Sequence, residues 1–484
     1  MHGIWTTDRI RAAEDRLLAI TPDGALMRKA AFGVSVVAAR MLADHTGAVA
    51  GRSVVLLVGA GNNGGDALWA GAFLRKRSAG VTAVLLNPER AHAEGLAALR
   101  RAGGRVVEAA EGPRWIERAD LVIDGIVGLS ARGSLRPDAA ALVRRVVAPV
   151  LAIDLPSGVD PDTGAVEGDA VRASCTVTFG ARKPVHALNP AWCGDVELVD
   201  IGLLPELGDP DLVRLDVGDV AAAWPVPGPD DDKYSQGVVG IAAGSATYPG
   251  AAVLATGAAA LATSGMVRYA GSAADLVRAR WPEVIATGSV TDAGRVQAWV
   301  VGPGIGTGGE GRSTLETVLG AGVPVCADAD ATTLIARVPE VLDARDPGTP
   351  LVLTPHAGEF ARLMGDKPGA DRVEAARAAA KKYDAVVLLK GHCTVVAEPG
   401  GRALVNTPRG SWPATAGSGD VLSGLVGSLL AVGLDPWLAA GAAAYVHSVA
   451  GEIASRGAPV PASALVDAIP DALRSVRSLA PRDV

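Results

Sequence analysis

Short apolar runs alternate with helical segments in the first half of the chain, and this alternation limits the fold more than any other feature. The predicted strands there are Ser53–Val58, Val81–Leu86, Asp120–Ile123 and Pro149–Ile153. They are uniformly apolar, as in strands buried on both faces of a parallel sheet. The segments between them, such as Ala67–Arg77 and Arg90–Ala102, have helical composition. The pattern predicts a doubly wound α/β sheet.

The alternation breaks between about Gly202 and Lys233 and then resumes. The piece Trp224–Lys233 combines prolines with an acidic run, which is typical of a linker. A second strand series follows, at Val238–Ala242, Ala298–Val301, Pro324–Ala327, Leu351–Thr354 and Ala385–Leu389. Helices are predicted over Ala416–Val432 and Pro436–Ala454. We therefore expect two different α/β domains, at residues 1–210 and 225–484.

Charge and composition exclude several classes of protein. The 484 residues carry a net charge of −7 without a basic block, which disfavours nucleic acid and anionic membranes as partners. The four cysteines lack metal-ligand spacing and predict reduced thiols, and the charged N-terminus lacks a signal-peptide core. Two apolar stretches, Ala251–Val267 and Val421–Leu434, fit buried helices better than membrane spans. We expect a cytoplasmic homo-oligomer that acts on small molecules.

A glycine-rich loop, GAGNNGGDA at Gly59–Ala67, follows the first long strand. Glycines allow backbone amides to approach an anion, and a helix N-terminus favours negative charge. The pattern predicts a phosphate cradle. The alternative is a tight strand-to-helix turn, although two asparagines and an aspartate are unusual in a plain turn.

Two further loops follow later strands, DGIVGLSARGS at Asp124–Ser134 and DLPSGVD at Asp154–Asp160. The carboxyl ends of parallel strands meet at one edge of a sheet, where ligands bind. Asn63, Asp124 and Ser157 would bring several oxygens and one carboxylate together, which suits a monovalent cation better than zinc. Asp154 is a candidate proton-transfer base, or alternatively a cap of its turn.

These motifs, together with TFGARKP at Thr178–Pro184, resemble the epimerase domain of the NAD(P)H-hydrate repair enzymes over residues 1–205. The resemblance implies a Rossmann-like fold and potassium held by Asn63, Asp124 and Ser157. It also implies a catalytic Asp154. Substrate contacts would come from Asp154 and from two loops, namely Asn62, Asn63, Gly64, Gly65 and Asp66, and Gly128, Leu129, Ser130, Ala131, Arg132, Gly133 and Ser134. Some members carry a catalytic lysine between the first two motifs, but LLNPERAHAEG has no equivalent, so no lysine is assigned a role.

The second half contains a denser set of polar loops. The most informative is ATAGSGDVLSG, Ala414–Gly424, which places GSGD at the start of a long helix. Amides there can stabilise a developing anion, and Asp420 can accept a hydroxyl proton during phosphoryl transfer. A helix-capping Asp420 is the alternative. Lys390 is a candidate phosphate partner, and His356 is equally compatible with a structural role. Asp328 and Asp330 would hold magnesium through water or cap the following helix.

Residues 233–484 resemble the ADP/ATP-dependent NAD(P)H-hydrate dehydratases of the ribokinase-like superfamily, through AAGSATYPGAA, GPGIG, TPHAGE, LKGHCT and TAGSGDVLSG. The resemblance implies a catalytic Asp420, Mg²⁺, and ADP as co-substrate. Hydrate contacts are implied at Ala251, Gly304, His356 and Asp420. Nucleotide contacts are implied at Lys390, Gly391, His392, Cys393, Thr394 and Gly419. The string ADADATTL departs from the family's usual DADAL but retains both aspartates.

The two halves together predict repair of NADHX and NADPHX, the hydrated forms of NADH and NADPH. One half would epimerise the R and S hydrates, and the other would dehydrate the S form using ADP, giving AMP and phosphate. Two alternatives remain at this point. The C-terminal half could phosphorylate a hydroxymethylpyrimidine or a sugar stably, or the chain could be a nucleotide-binding regulator without turnover. Fold alone does not separate them.

Overall fold

The computed structural model describes residues 1–130, 132–263, 265–407 and 409–479. The chain divides into a smaller compact unit, Gly3–Leu212, and a larger one, Val213–Val484 with Met1–His2. None of the helices in the described ranges is long and apolar enough to cross a membrane.

The smaller unit is built on a parallel sheet covered by helices. The chain begins with a short strand, β1 (His2–Ile4), which is not part of this sheet. The sheet strands are β2 (Ser53–Val58), β3 (Gly80–Leu85), β4 (Arg105–Glu108), β5 (Leu121–Gly125), β6 (Val150–Ile153), β7 (Cys175–Phe179) and β8 (Asp195–Val199). Its helices are α1 (Thr7–Leu18), α2 (Ala25–Thr46), α3 (Asn62–Lys76), α4 (Ala93–Arg101), α5 (Pro113–Ile116), α6 (Pro137–Val143), α7 (Pro184–Leu188) and α8 (Pro190–Cys193).

Strands β4-β3-β2-β5-β6-β7-β8 form this sheet in that order, and every pairing is parallel. The direction of winding reverses between β2 and β5, so a crevice opens at their carboxyl ends. The loops after β2 and β5 approach each other closely there, since a Cβ at Gly59 would lie 1.9 Å from the carbonyl oxygen of Ile126. Only glycine fits at this position. The predicted doubly wound sheet is confirmed.

The larger unit contains a mixed sheet. Its strands are β9 (Leu212–Arg214), β10 (Val238–Ala242), β11 (Met266–Ala270), β12 (Ile285–Thr287), β13 (Ala298–Val301), β14 (Val325–Ala327), β15 (Leu351–Leu353), β16 (Val386–Leu389), β17 (Thr394–Ala397) and β18 (Ala403–Asn406). Its helices are α9 (Val217–Ala223), α10 (Pro249–Ala262), α11 (Ala274–Arg280), α12 (Gly309–Leu319), α13 (Ala329–Arg337), α14 (Ala357–Met364), α15 (Arg372–Tyr383), α16 (Ser418–Ala431), α17 (Pro436–Ser455) and α18 (Ala462–Leu479).

The central strands follow the order β12-β11-β10-β13-β14-β15-β16 and are parallel, and an antiparallel extension, β17-β18, continues from β16. Winding reverses between β10 and β13. Helix α16 is buried from Val421 to Ala431, which explains its largely apolar composition. It packs against α10, so the two apolar stretches contribute helices to the core of this unit.

The predicted linker begins too early. Trp224 is only 2% exposed, belongs to the core of the larger unit, and donates its indole N–H to the Ala262 carbonyl (3.0 Å). The preceding helix α9 also lies in this unit. The acidic residues Asp230–Asp232, in contrast, are exposed. The prolines after Trp224 suggested a linker, but burial of the large indole keeps this tryptophan in the fold.

Candidate active sites

The smaller unit brings Asn63, Asp124 and Ser157 together at the carboxyl ends of β2, β5 and β6. The Ser157 hydroxyl donates to Asp124 Oδ1 and the Ser157 amide donates to Asp124 Oδ2, both at 2.8 Å. Asn63 Nδ2 donates to the Val127 carbonyl oxygen (2.9 Å), which also lies 3.3 Å from Ser157 Oγ. One carboxylate is thus surrounded by neutral oxygens on three converging loops.

Burial raises the pKa of Asp124 to about 6, although the hydrogen bonds from Ser157 and from the Ile126 amide lower it in part. A cation held here would favour the ionised form of Asp124. The donors are hard oxygens with a single negative charge, which fits potassium, and they include no sulfur or imidazole as a zinc site would. No cluster of three or more His, Cys, Asp or Glu side chains suited to a metal occurs in the described part of the chain.

Asp154 follows β6 with a φ of +71°, a conformation that non-glycine residues adopt at an energetic cost. Three groups hold it. Its Oδ1 pairs with the ammonium of Lys183, and it also accepts from the Thr178 hydroxyl (3.2 Å). Its backbone carbonyl lies 2.9 Å from Nε2 of His186. A strained backbone conformation that several neighbouring groups hold in place is common at catalytic positions.

The tautomer of His186 follows from its two hydrogen bonds, and its charge follows from its burial. Its Nδ1 accepts from the Lys183 amide (3.1 Å), so Nε2 carries the proton and donates to the Asp154 carbonyl. Burial, reinforced by the nearby charge of Lys183, lowers the pKa of His186 to about 3. His186 is therefore neutral and positions the backbone of Asp154.

Lys183 was missed as a functional residue. It is fully buried, and besides Asp154 its ammonium contacts the Thr178 hydroxyl at 2.8 Å. Lys183 lies in TFGARKP, just after β7. Because β7 pairs with β6, and Asp154 follows β6, the position of Lys183 in this motif was the signal that could have placed it beside Asp154. A lysine is thus present at this site, although the stretch LLNPERAHAEG between the first two motifs contains none.

Two further carboxylic acids lie close enough to interact electrostatically with Asp154. Burial raises the pKa of Glu14, on α1, to about 7, and the charge of Asp154 adds to the increase. The pKa of Asp66, on α3, is raised well above its usual range by burial and then by Asp154 and Glu14. The cleft therefore combines Asp154, which is paired with the Lys183 ammonium, with two carboxyl groups, Glu14 and Asp66, whose raised pKa values favour the neutral form. Glu14 was not among the predicted residues.

The other predicted contacts of this unit lie on the loop after β5. A Cβ at Gly128 would lie 3.3 Å from Asn63 Oδ1, so this part of the loop adjoins the Asn63 side chain. Leu129 accepts a hydrogen bond from Arg11 through its carbonyl (2.7 Å), and Arg132 lies 3.9 Å from Asp162. Ala131 lies outside the described residues.

In the larger unit, a buried ion pair organises the candidate site. Asp328, which follows β14, accepts from Lys390 (2.6 Å) and Thr354 (2.7 Å) through Oδ1 and from Ser423 (2.7 Å) through Oδ2. Lys390 keeps the pKa of Asp328 below its usual value despite burial. Asp328 makes no side-chain capping bond to α13, so the capping alternative is wrong for this residue.

Asp420 lies in the first turn of α16, which begins after Gly417 at a φ of +85°. Burial raises the pKa of Asp420 to about 7, and the charge of Asp328 adds to the increase. A Cβ on the adjacent Gly419 would lie 3.3 Å from Lys390 Nζ, which brings the ion pair to the start of the helix. A carboxylate that titrates near neutral pH, beside a helix N-terminus and an ammonium, suits proton transfer with anion stabilisation.

The remaining predicted residues occupy the neighbouring loops. A Cβ at Gly304 (φ +66°) would lie 3.2 Å from the Ala251 side chain, so these two positions adjoin. His356 caps α14, its Nδ1 accepting from the Gly358 amide (2.8 Å), so its structural role is present. Residues Gly391–Thr394 lie at the turn into β17, where the Cys393 side chain is buried in the protein. His447, which was not predicted, is half-buried with Nε2 3.0 Å from the Ser418 hydroxyl.

The two sheets and the polar groups at their carboxyl ends define a two-unit α/β enzyme. Two family models match it: the YjeF-related protein N-terminus over residues 23–185 and NAD(P)H-hydrate dehydratase over residues 239–471. A bifunctional NAD(P)H-hydrate repair enzyme of Mycobacterium leprae is 54% identical over 484 residues, covering 98% of this chain and 100% of the relative. One from Mycobacterium tuberculosis is 57% identical and covers 90% of each chain. The chain belongs to the family of bifunctional NAD(P)H-hydrate repair enzymes.

Solved structures resemble the larger unit. The ADP/ATP-dependent NAD(P)H-hydrate dehydratase of Bacillus subtilis, co-crystallised with ATP and Mg²⁺, is 27% identical with a TM-score of 0.50, covering 55% of this chain and 99% of that one. A ribokinase-like superfamily protein of Enterococcus faecalis has a TM-score of 0.50 at 22% identity, covering 55% and 96%, and shows the fold alone. The expected ribokinase-like fold is confirmed.

Proposed function

We propose that the chain epimerises R- and S-NAD(P)HX in its smaller unit and dehydrates S-NAD(P)HX to NAD(P)H in its larger unit, converting ADP to AMP and phosphate. The observation that carries the proposal is the occurrence in one chain of two different acid–base sites. One combines Asp154 with Lys183, and the other places Asp420 at the start of α16 beside Lys390.

Epimerisation inverts the ring carbon that bears both a hydroxyl and the ring nitrogen. We infer that Asp154, paired with Lys183, removes the hydroxyl proton, and that the carbon–nitrogen bond then opens to give an aldehyde. A neutral acid protonates the nitrogen. Rotation of the aldehyde and closure on its other face return both protons and give the second epimer. Asp66 and Glu14 are candidates for that acid, because both favour the protonated form.

Dehydration needs a better leaving group than hydroxide. We infer that Asp420 accepts the hydroxyl proton while that oxygen attacks the terminal phosphorus of ADP, releasing AMP. Amides at the start of α16 and the nearby Lys390 would stabilise the transferring group. The ring nitrogen then expels phosphate, and the neighbouring ring carbon loses a proton to the released phosphate or to water, which restores the dihydropyridine ring. The proposed nucleotide contacts are Lys390, Gly391, His392, Cys393, Thr394 and Gly419, and the proposed hydrate contacts are Ala251, Gly304, His356 and Asp420.

Two metal ions are part of the proposal. Potassium would be held by Asn63, Asp124 and Ser157 and would neutralise Asp124 beside the substrate. Magnesium would neutralise phosphate charge in the larger unit. Asp328 does not suit direct coordination, because three side chains already donate to its carboxylate. Asp330 uses Oδ2 to accept from the Gly306 amide (2.9 Å), which leaves Oδ1 to contact the hydrated ion.

The test is to incubate the full chain with mixed hydrate epimers, ADP and Mg²⁺ while following reduced-nicotinamide absorbance and free phosphate. We expect both epimers to be consumed, with one phosphate released for each NAD(P)H formed. A phosphorylated product that accumulates without absorbance would instead indicate a kinase. Absence of turnover would favour a regulator. We also propose a cytoplasmic location and a homo-oligomer, which fractionation and light scattering would test.

A further inference from the structure

A cavity of about 490 Å³ lies in the smaller unit at the opposite end of the sheet from Asp154. Its lining includes Ser53 and Arg105, the first residues of β2 and β4. The proposed catalytic residues follow the carboxyl ends of their strands, whereas these residues mark the amino ends. The cavity is therefore separate from the epimerase site.

Two guanidinium groups line this cavity without a carboxylate ion pair in the part of the chain that the structure describes. Arg75, in the last turn of α3, donates through Nη1 to Ala79 (2.6 Å) and through Nε to Ala102 (3.3 Å). Its Nη2 lies 3.4 Å from a Cβ placed on Gly103 and remains available for an anion. Arg105 stacks on the Trp115 ring, with its guanidinium carbon 4.4 Å from the ring centroid. Stacking leaves the edge donors of Arg105 unused.

Trp115 fixes the position of Arg105, because its ring lies in the lining of the cavity and stacks on that guanidinium. The other arginine near this ring, Arg114, is paired with Glu111 and is therefore neutralised.

We propose that this cavity is a second ligand site, which binds a phosphorylated small molecule. The phosphoryl group would pair with Arg75 and Arg105, and Trp115 would hold Arg105 in place by stacking. The cavity leaves room beside the phosphoryl group for an organic part of the ligand. The chain has a net charge of −7, and these unpaired guanidinium groups are a local exception that attracts anions.

The experiment is calorimetric titration of the full chain with ribose 5-phosphate. Nucleotides are avoided because the proposed dehydratase site would also bind them. Arg105→Gln is the main variant, since the Arg105 side chain is exposed and forms no hydrogen bond or ion pair with the described residues. Arg118→Gln is the matched control, an exposed arginine outside the cavity. Any binding at the glycine-rich loop after β2 would persist in both variants.

We expect ribose 5-phosphate to bind the wild type and Arg118→Gln equally, and to bind Arg105→Gln at least about tenfold more weakly. Unchanged affinity in Arg105→Gln would overturn the site. Equal affinity for inorganic phosphate would overturn the assignment of an organic ligand.

Discussion

The pH dependence of dehydration tests the role proposed for Asp420. Only the ionised carboxylate can accept the hydroxyl proton. With a pKa of about 7, Asp420 is about one-tenth ionised at pH 6 and about nine-tenths ionised at pH 8. The rate at low substrate should therefore rise roughly ninefold across this interval. A carboxylate with the usual aspartate pKa would be ionised throughout, and the rate would stay flat.

The perturbation is Asp420→Asn, which keeps the size of the side chain but cannot accept a proton. We expect turnover to fall by about 100- to 10,000-fold, and the residual rate to lose its dependence on pH between 6 and 8. ADP should still bind, as measured by calorimetry, because its proposed contacts are the residues Lys390–Thr394 and Gly419 and not the Asp420 side chain. Asp366→Asn, an exposed aspartate of the same unit, is the control and should leave the pH profile unchanged.

The same pKa has a consequence for stability, and its sign can be worked out. The folded state raises the pKa of Asp420 from 3.8 to about 7, so folding favours the protonated form. This contribution is complete below the unfolded pKa and is lost as the pH rises through about 7. Asp420→Asn should match the wild type at pH 3.5 and be more stable at pH 8, by up to about 4 kcal/mol. A flat rate between pH 6 and 8, together with a less stable variant at pH 8, would refute the reasoning.

Four further outcomes are expected. Asp154→Asn should abolish epimerisation but leave dehydration of the S epimer intact, and consumption of the R epimer at the wild-type rate would remove Asp154 from the mechanism. Lys183→Met should destabilise the smaller unit to urea by about 3–5 kcal/mol, because it leaves a buried carboxylate unpaired, whereas Arg40→Met, which breaks an exposed pair with Glu197, should cost under about 1 kcal/mol. Epimerisation should require potassium, and a crystal structure showing a zinc or magnesium ion at Asp124 with bonds of about 2.1 Å would contradict this. ADP should support faster dehydration than ATP, and the reverse order of rates would overturn the choice of donor.

Much of the fold could be predicted because strands that are buried in a parallel sheet consist of short, mostly apolar runs of sequence. The strands Ser53–Val58, Val238–Ala242 and Ala298–Val301 have the predicted bounds. Short edge strands such as β8 were missed because their residues are partly or fully exposed and include no continuous apolar run. Trp224 was placed in a linker because its neighbours are prolines and aspartates, whereas its burial depends on helices far along the chain.

The candidate sites divide in the same way. Each polar loop follows its own strand, so the sequence alone determined that Asn63, Asp124 and Ser157 lie at one sheet edge, and that Asp420 begins a helix. Only the tertiary structure decided which groups surround them. Lys183 contacts Asp154 because β7 pairs with β6, and Lys390 contacts Asp328 although 62 residues separate them along the chain. The pKa of Asp420 and the cavity at Arg105 likewise depend on burial and on charges from distant segments, which local sequence does not encode.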